Sequence, residues 1–364
     1  MRNILMLCNS SYHIFLSVWL KITEFKNDNV DIIVSDHTFG SEKIAQRLKS
    51  ADCFENVYYV KTKAYIKKSA SPKIYLDYYL CDAALRRYIS LNKKYDMLLA
   101  ANIDSFTKLL YIAIVNGFGK KRNPKLSFYI FEDGTSTYSK LFEKFYNLSK
   151  LGRRASMLPL KPKVIYKNVK GIYAFDEDAF LWKPDAPIIQ IKKIDKSKKE
   201  FKKVINYVFD YESLQDKYDR KYIFFEENFL AGGYYDVKDT ELVKKIADIV
   251  GIENIMVKIH PRNPKNRFKN LGYKTNENTA LPWEVIVLNE NMEDKVLLSI
   301  ASTSILNPVR IFGDKSKAYS LYKCMDKIPG SLSGYLWDAT EFLFKKYYPY
   351  IEILSSIEDL QKVL

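Results

Sequence analysis

An acidic pair follows an apolar, strand-like run in the first half of the chain. Residues 125–131 lead into Glu132 and Asp133, which Gly134 and Thr135 follow. A carboxylate at a strand end can take a proton from a hydroxyl, so Asp133 and Glu132 are candidate general bases. Gly134 permits a tight turn, and Thr135 suits a helix cap or a contact to a substrate. The alternative interpretation is an acidic turn with an ordinary cap.

A histidine follows a second strand-like run, in the other half of the chain. Residues 255–259, which include Lys258, lead into His260, Pro261 and Arg262. The chain contains only three histidines, so one at a strand end is informative. Histidine exchanges a proton near neutral pH, and arginine forms forked hydrogen bonds to phosphate. The motif therefore favours a phosphate or nucleotide site over a purely structural histidine.

Hydroxyl residues and a glutamate complete the set of candidate site residues. Ser302, Thr303 and Ser304 follow the apolar run 296–300 and precede a predicted helix. Backbone N–H groups at a helix N-terminus attract phosphate, although an ordinary helix cap has the same sequence. Glu284 begins another predicted helix, where its carboxylate can bind two ribose hydroxyls or merely offset the helix dipole.

Two blocks of alternating strands and helices are predicted to position these residues. We expect strands at 4–7, 30–35, 57–60, 97–100, 125–131, 172–175, 222–225, 255–259, 296–300 and 318–321, and helices at 12–22, 42–49, 74–91, 107–115, 240–250 and 304–312. Apolar strands separated by helices indicate parallel sheets covered on both faces. The sequence therefore predicts an α/β fold of two Rossmann-like domains facing a central cleft, with ligands at the carboxyl ends of the strands.

A change of composition separates the two blocks. Residues 152–163 carry two prolines and several cations, which is typical of a connection. We expect an N-terminal domain at 1–155, a second domain at 156–335 and a helical tail at 336–364. Residues 192–203 contain seven lysines. This run favours a solvated helix face over a patch that binds anionic membranes.

Other motifs are absent or weak. The sequence contains no G-x-G-x-x-G and no G-x-x-x-x-G-K-[ST], which disfavours nicotinamide dehydrogenases and P-loop kinases. Asp176 and Asp178 could hold a divalent ion, but short acidic triplets are common, and we expect no metal site. Asn9 and Ser10 form a polar turn after the first strand, where they could contact a sugar.

The composition is that of a folded, basic protein. The 364 residues include 58 lysines and arginines against 43 acidic residues, for a formal net charge of +15. This charge favours anionic partners, but no helix-turn-helix, zinc or RNP-type signature of nucleic-acid binding is present. Four scattered cysteines argue against a zinc site or a disulfide framework, and no targeting or membrane-spanning segment is recognisable. We therefore expect a cytoplasmic protein that binds no nucleic acid.

The three motifs resemble those of the bacterial sialyltransferases. In these families an acidic D/E-D-G, a His-Pro and a Ser/Thr-Ser pair occur in this order, as they do here at 132–134, 260–261 and 302–304. Length and spacing are similar to glycosyltransferase family 52, the lipooligosaccharide sialyltransferase group, and to its polysialyltransferase relatives. The resemblance covers roughly residues 1–310.

The resemblance implies a GT-B fold and an inverting transfer of sialic acid from CMP-sialic acid to a sugar hydroxyl. It implies no metal and no other cofactor, and a terminal galactose as the acceptor sugar. Asp133 would be the base, and His260 would protonate or hydrogen-bond the departing phosphate. Residues 302–304 would hold that phosphate, and Glu284 would bind the CMP ribose.

The remaining site residues follow from the same resemblance. Lys258, Pro261 and Arg262 would line the donor site together with Asn9 and Ser10. Gly134 and Thr135 would face the acceptor, and Glu132 would assist Asp133.

Three alternatives stay open at this point. Some lipooligosaccharide sialyltransferases carry an acidic base after the first strand of the second domain, where this chain has Glu226 and Glu227. Either glutamate could therefore replace Asp133 as the base. Another nucleotide sugar could replace CMP-sialic acid. A lipid-linked acceptor would bring the protein to the inner face of the plasma membrane as a peripheral protein, and the protein could act as a homodimer.

Overall fold

The computed structural model describes most of the chain. The described residues are 1–37, 40–63, 93–116, 125–143, 169–214, 216–229, 237–263, 265–326 and 335–364, together with residues 85 and 123. Except for residue 85, the helix predicted at 74–91 lies outside this set, and so does the connection predicted at 152–163. The described residues form two compact units. Unit 1 comprises 1–192 and 199–209, and unit 2 comprises 193–198 and 210–364.

A sheet of parallel strands forms the centre of unit 1. Its strands are β1 (Asn3–Cys8), β2 (Asn29–Ser35), β3 (Asn56–Val60), β4 (Met97–Ala100), β5 (Ser127–Phe131), β6 (Val169–Ala174) and β7 (Ile188–Gln190). Their order is β3-β2-β1-β4-β5-β6-β7, and all neighbours run parallel. Residues 4–8 of β1 are buried without a break because helices cover both faces of the sheet. The direction of strand addition reverses between β1 and β4, and ligands bind at such points in open α/β sheets.

Among the described residues of unit 1, the helices are α1 (Ser11–Ile22), α2 (Ser41–Ser50), α3 (Ser105–Asn116) and α4 (Lys199–Phe209). Ser10 caps α1 by accepting a hydrogen bond from the His13 N–H. A single 3₁₀ turn at Gly134–Tyr138 follows β5. Gly134 has a φ of +57°, in the left-handed region that glycine adopts without strain.

Unit 2 contains a second parallel sheet with strands β8 (Tyr222–Phe225), β9 (Ile255–Lys258), β10 (Lys274–Thr275), β11 (Val296–Ser299), β12 (Lys317–Ser320) and β13 (Ile351–Ile353). The strand order is β10-β9-β8-β11-β12-β13. The helices are α5 (Asp239–Val250), α6 (Arg267–Asn270), α7 (Trp283–Asn289), α8 (Tyr335–Lys346) and α9 (Ile357–Val363). The predicted α/β class with two Rossmann-like sheets is confirmed.

The limits of the two units differ from the predicted domains 1–155 and 156–335. Strands β6 and β7 continue the first sheet, with Phe128 paired to Val169 and Ile172 paired to Ile188. Unit 1 therefore extends to residue 192. The residues predicted as a helical tail at 336–364 also belong to unit 2, because β13 pairs with β12 and Leu360 of α9 is buried in the core.

Two local predictions also need correction. The expected helix at 304–312 consists of a 3₁₀ turn at Thr303–Leu306 and a π-helical turn at Pro308–Phe312. Proline lacks the N–H group that a regular helix interior needs, so the helical hydrogen-bond pattern changes at Pro308. The final residues contain a strand between two helices, since Ile351–Ile353 completes the edge of the second sheet.

The lysine-rich run is only partly a solvated face. The Nζ atom of Lys193 donates to the Val309 carbonyl oxygen at 3.2 Å. The Nζ atom of Lys196 pairs with the Asp314 carboxylate. Lys199 and Lys203 stay exposed on α4. The run therefore offers fewer free cations to an anionic surface than its sequence suggests. No helix in the described part of the chain has the length and hydropathy needed to cross a membrane.

Phe201 anchors α4 to unit 1. Its ring is fully buried. The centroid of this ring lies 5.2 Å from that of Phe15 and 5.1 Å from that of Trp19, both on α1. We expect Phe201→Ala to lower the free energy of unfolding by about 3–5 kcal/mol, as buried aromatic truncations do. Tyr207→Ala on the same helix is the matched control, because Tyr207 is 51% exposed. Urea unfolding measures both variants, and equally small losses would show that α4 is not anchored through Phe201.

Candidate active site

The two carboxylates after β5 have different surroundings. Glu132 is fully buried. It accepts hydrogen bonds from the Tyr12 hydroxyl at 2.5 Å, from the Phe175 N–H at 3.0 Å and from the Tyr138 hydroxyl. A carboxylate that is enclosed in this way has no access to an incoming hydroxyl. The prediction that Glu132 shares the catalytic role is therefore corrected: Glu132 holds the strand end in place.

Asp133 faces the opposite way, as successive residues of an extended chain do. Its side chain is 43% exposed, and its Oδ1 atom lies 2.8 Å from Nε2 of His13. Its backbone N–H donates to the Thr137 hydroxyl at 2.7 Å. Thr135, by contrast, is buried, which removes it as an acceptor contact, whereas Gly134 turns the chain next to Asp133. Asp133 is therefore an accessible carboxylate with a fixed orientation.

His13 is the residue that fixes this orientation, although the sequence alone predicted no role for it. The Asn9 N–H donates to Nδ1 of His13 at 3.2 Å, so Nδ1 is an acceptor and the ring hydrogen lies on Nε2. The Nε2–H group then donates to Asp133. The only sequence signal was a rare histidine in the turn after the first strand.

Asn9 and Ser10, predicted to bind the donor, have contacts inside unit 1. The Asn9 amide Nδ2 donates to the Asp104 carboxylate at 3.2 Å, and Ser10 caps the helix that carries His13. Asp104 in turn accepts a hydrogen bond from the Thr107 N–H at 2.7 Å. These contacts connect the carboxyl ends of β1 and β4. These contacts give Asn9 and Ser10 a positioning role, and their binding of the donor stays a prediction.

The first glutamate after β8 is also an internal anchor. Glu226 is 2% exposed and accepts a hydrogen bond from the His260 N–H at 3.0 Å. The Arg267 guanidinium pairs with Glu226 at 3.1 Å and with Asp239 at 2.6 Å. Both carboxylate oxygens of Glu226 are therefore hydrogen-bonded within the protein. Glu226 positions His260 and is corrected as a candidate base.

His260 itself is held as a neutral hydrogen-bond donor. Its Nδ1 atom accepts the Arg262 N–H at 3.2 Å, which leaves the ring hydrogen on Nε2. Burial, together with the charges of Arg262 and Lys258, lowers the pKa of His260 to about 4. At neutral pH the free protein therefore presents an N–H donor at this strand end rather than an imidazolium. Pro261 and Arg262 are exposed beside it.

Glu227 connects the ends of β8 and β11. Its Oε1 atom accepts the Ala301 N–H at 2.8 Å, and its carbonyl oxygen accepts the Asn263 side chain at 2.9 Å. Burial raises the pKa of Glu227 to about 7, although the N–H groups of Ala301 and Ser302 oppose this shift. Glu227 holds the hydroxyl segment 302–304 against the sheet.

The hydroxyl segment is partly exposed and ordered by its own contacts. The Ser302 hydroxyl accepts the Ser304 N–H at 3.3 Å, and the Ser302 N–H donates to Ser299 at 3.1 Å. Thr303 begins the 3₁₀ turn between them. Ser302, Thr303 and Ser304 therefore follow β11 next to the residues that Glu226 and Glu227 position.

Lys258 and Glu284 are both buried, and the charge of each affects the pKa of the other. Burial lowers the pKa of Lys258 to about 8, and the nearby carboxylates of Glu284 and Asp216 oppose that effect. Burial likewise raises the pKa of Glu284, while Lys258 opposes the change. One oxygen of Glu284 accepts the Asn307 amide at 2.6 Å. The positive charge of Lys258 therefore lowers the pKa of His260 and favours the ionised form of Glu284.

The acidic triplet at 176–178 does not gather ligands for an ion. Asp176 is buried, whereas Asp178 is exposed on the short 3₁₀ turn that follows. Within the described ranges, no three His, Cys, Asp or Glu side chains lie close enough together to hold a metal ion.

Comparisons with known proteins agree with this architecture. The structure of an α/β-galactoside α-2,3-sialyltransferase from Photobacterium phosphoreum superposes with a TM-score of 0.52 at 11% identity, over 99% of this chain and 100% of that one. UGT89C1 of Arabidopsis thaliana with UDP-L-rhamnose gives 0.47 at 9% identity over 100% and 88%. MurG of Acinetobacter baumannii gives 0.46 at 8% identity over 100% and 90%. No curated protein sequence matches this chain significantly.

The two parallel sheets and the superposition on the sialyltransferase structure show the GT-B fold. The family model of the alpha-2,8-polysialyltransferases (POLYST) matches residues 4–321. The chain belongs to this family. The prediction of a bacterial-type sialyltransferase, with a nucleotide-sugar donor and a glycan acceptor, is thereby confirmed, whereas family 52 itself stays a prediction.

The partly buried Glu227 carboxylate should make stability depend on pH. Its pKa is about 7 in the folded protein against 4.5 normally, so between these values only the folded state keeps the proton. Wild-type stability should therefore fall relative to Glu227→Gln as pH rises from 5 to 8, by on the order of 2–3 kcal/mol. Urea unfolding at several pH values measures this. A constant difference between the two proteins would contradict the prediction.

Proposed function

We propose that the protein transfers sialic acid from CMP-sialic acid to a hydroxyl of a glycan, with inversion and without a metal ion. The observation that carries the proposal is the Asp133 carboxylate, which is exposed and is oriented by the Nε2–H group of His13 at 2.8 Å. Family membership supports the transferred sugar. It also favours a terminal sialic acid as acceptor, in an α-2,8 linkage, over the galactose expected from the sequence.

In this mechanism Asp133 removes the proton of the acceptor hydroxyl while that oxygen bonds to the anomeric carbon of the donor. The bond from this carbon to the CMP phosphate oxygen breaks, and its electron pair leaves with the phosphate. A single displacement of this kind inverts the configuration. General base assistance contributes about 10²–10⁴-fold to such reactions.

The leaving phosphate would be bound by groups of unit 2. The Nε2–H of His260 can donate to it, and residues 302–304 offer hydroxyl and backbone N–H groups. Lys258 and Arg262 add positive charge, and Glu284 binds the ribose. Preorganised donors and cations can stabilise a departing phosphate in the absence of a metal ion. The negative charge of a bound phosphate would also favour the protonated form of His260, which can give its proton to the departing phosphate.

Asp133→Asn tests the base. Asparagine keeps an oxygen that can accept the His13 hydrogen bond but cannot take a proton, so transfer should fall by about 10²–10⁴-fold. CMP binding, measured by thermal shift, should stay at the wild-type level. Glu227→Gln is the comparison variant and should retain transfer. An active Asp133→Asn protein together with an inactive Glu227→Gln protein would move the base to unit 2.

The donor is tested by thermal-shift titration with CMP, CDP, UDP, GDP and ADP in the presence of a chelator. A ligand that binds only the folded state raises its stability by about RT ln(1 + [L]/Kd). We expect a shift with CMP alone, followed by transfer from CMP-sialic acid that the chelator does not reduce. A shift with UDP or ADP instead would favour a transferase for another sugar. Activity lost to the chelator and restored by Mn²⁺ would contradict metal independence.

The cellular setting is part of the proposal. A cytoplasmic location stays a prediction from the sequence. Contact with the inner face of the plasma membrane, a lipid-linked acceptor and a homodimer also stay predictions. Internal pairing of Lys193 and Lys196 leaves a smaller basic surface for membrane contact.

A further inference from the structure

Several polar side chains at one edge of unit 1 have an atom without a partner. Ser11 Oγ, His37 Nε2 and Asn102 Oδ1 are buried and accept or donate no hydrogen bond within the described residues. All three residues are nevertheless partly exposed. Native proteins satisfy most buried polar atoms, so each exception indicates a missing partner such as water or a ligand.

The strand order places these residues in a row. Ser11 follows β1, His37 follows β2 and Asn102 follows β4, and the sheet order β2-β1-β4-β5 continues to Asp133 after β5. Neighbouring strands lie about 4.8 Å apart, so the row from β2 to β5 is about 14 Å long. It includes the reversal of strand addition between β1 and β4, where sheets of this kind bind ligands.

The chemistry of the row is that of hydroxyl recognition. It offers an amide oxygen, a hydroxyl and an imidazole nitrogen. Burial lowers the pKa of His37, so its ring is neutral at neutral pH. Uncharged groups of this kind bind sugar hydroxyls, each of which can donate and accept. The Asp104 carboxylate beside Asn9 adds an acceptor to the row.

We propose that Ser11, Asn102 and His37 form a glycan-binding subsite that recognises non-reacting hydroxyls of the acceptor. The subsite begins beside Asp133 and extends away from it across β4, β1 and β2. It deepens the proposed function, because it determines which glycans bring a hydroxyl to Asp133. Asn102 lies one strand from Asp133 and contacts the sugar that reacts, whereas His37 contacts a part of the glycan farther from the reacting hydroxyl.

Variants at the two ends of the row test the subsite. Asn102→Ala should raise the KM for every acceptor about tenfold or more, which corresponds to about 1.4 kcal/mol of lost binding. His37→Ala should raise the KM for oligosaccharide acceptors and leave that for a single sugar unchanged. Acceptors ending in sialic acid and in galactose form two arms of the assay and identify the recognised ring. Slow hydrolysis of CMP-sialic acid without acceptor should be the same in all variants.

Thr107→Val provides the matched control. The Thr107 hydroxyl also lacks a partner at this edge, but the residue is fully buried and out of reach of a glycan. Its loss should leave acceptor KM unchanged. If Asn102→Ala and His37→Ala behave like Thr107→Val, the unpartnered atoms bind only water and the proposal fails.

A binding measurement separates the subsite from the reaction. Saturation-transfer NMR with the two oligosaccharides should detect binding to the wild type and its loss in Asn102→Ala. Binding of this kind without any transfer from CMP-sialic acid would overturn the proposed function and support the subsite. Transfer without dependence of KM on Asn102 or His37 would overturn the subsite alone.

Discussion

In each unit, the candidate site residues depend on the burial of one carboxylate at a strand end. Glu132 binds Tyr12, Tyr138 and the backbone of Phe175, and Glu226 binds Arg267 and the backbone of His260. A buried charge is tolerated only when it is paired or hydrogen-bonded, so each anchor forces its surroundings into one arrangement. The neighbouring acidic residue, Asp133 or Glu227, is then directed elsewhere. Each unit therefore contains a buried, anchoring carboxylate next to a second acidic residue.

Histidine chemistry in both units is determined by a backbone N–H group. Asn9 donates to His13 and Arg262 donates to His260, in each case at Nδ1. Both imidazole rings therefore carry their hydrogen on Nε2 and can donate it to a neighbouring group. In unit 1 the Nε2–H group donates to the Asp133 carboxylate, and in unit 2 we propose that it donates to the phosphate. Backbone geometry thus fixes the tautomer without a second acidic residue.

Much of the fold could be predicted because apolar runs of four to seven residues alternate with amphipathic helices. The strands at 97–100 and 222–225 match the structure at both ends. The division of the chain could not be predicted, since β6 and β7 look like any other strands and only their pairing assigns them to the first sheet. For the site, strand ends directed attention to Asp133 and His260, whose catalytic roles stay predictions. They could not separate Glu132 from Asp133 or Glu226 from Glu227, because burial depends on partners far along the chain. The contact of His13 with Asp133 spans 120 residues, and its only sequence signal was a rare histidine in the turn after the first strand.

The chain passes between the two units more than once, since 193–198 belongs to unit 2 and 199–209 returns to unit 1. During synthesis, unit 1 therefore cannot complete its core until residue 209 has left the ribosome, after a piece of unit 2 has already emerged. Exchange of halves between related enzymes faces the same restriction. A chimaera joined near residue 192 would separate α4 from α1, and a junction after residue 209 would carry six residues of unit 2 with the wrong partner. Gene fusions in this family should thus retain the segment from 193 to 209 together with both of its neighbours.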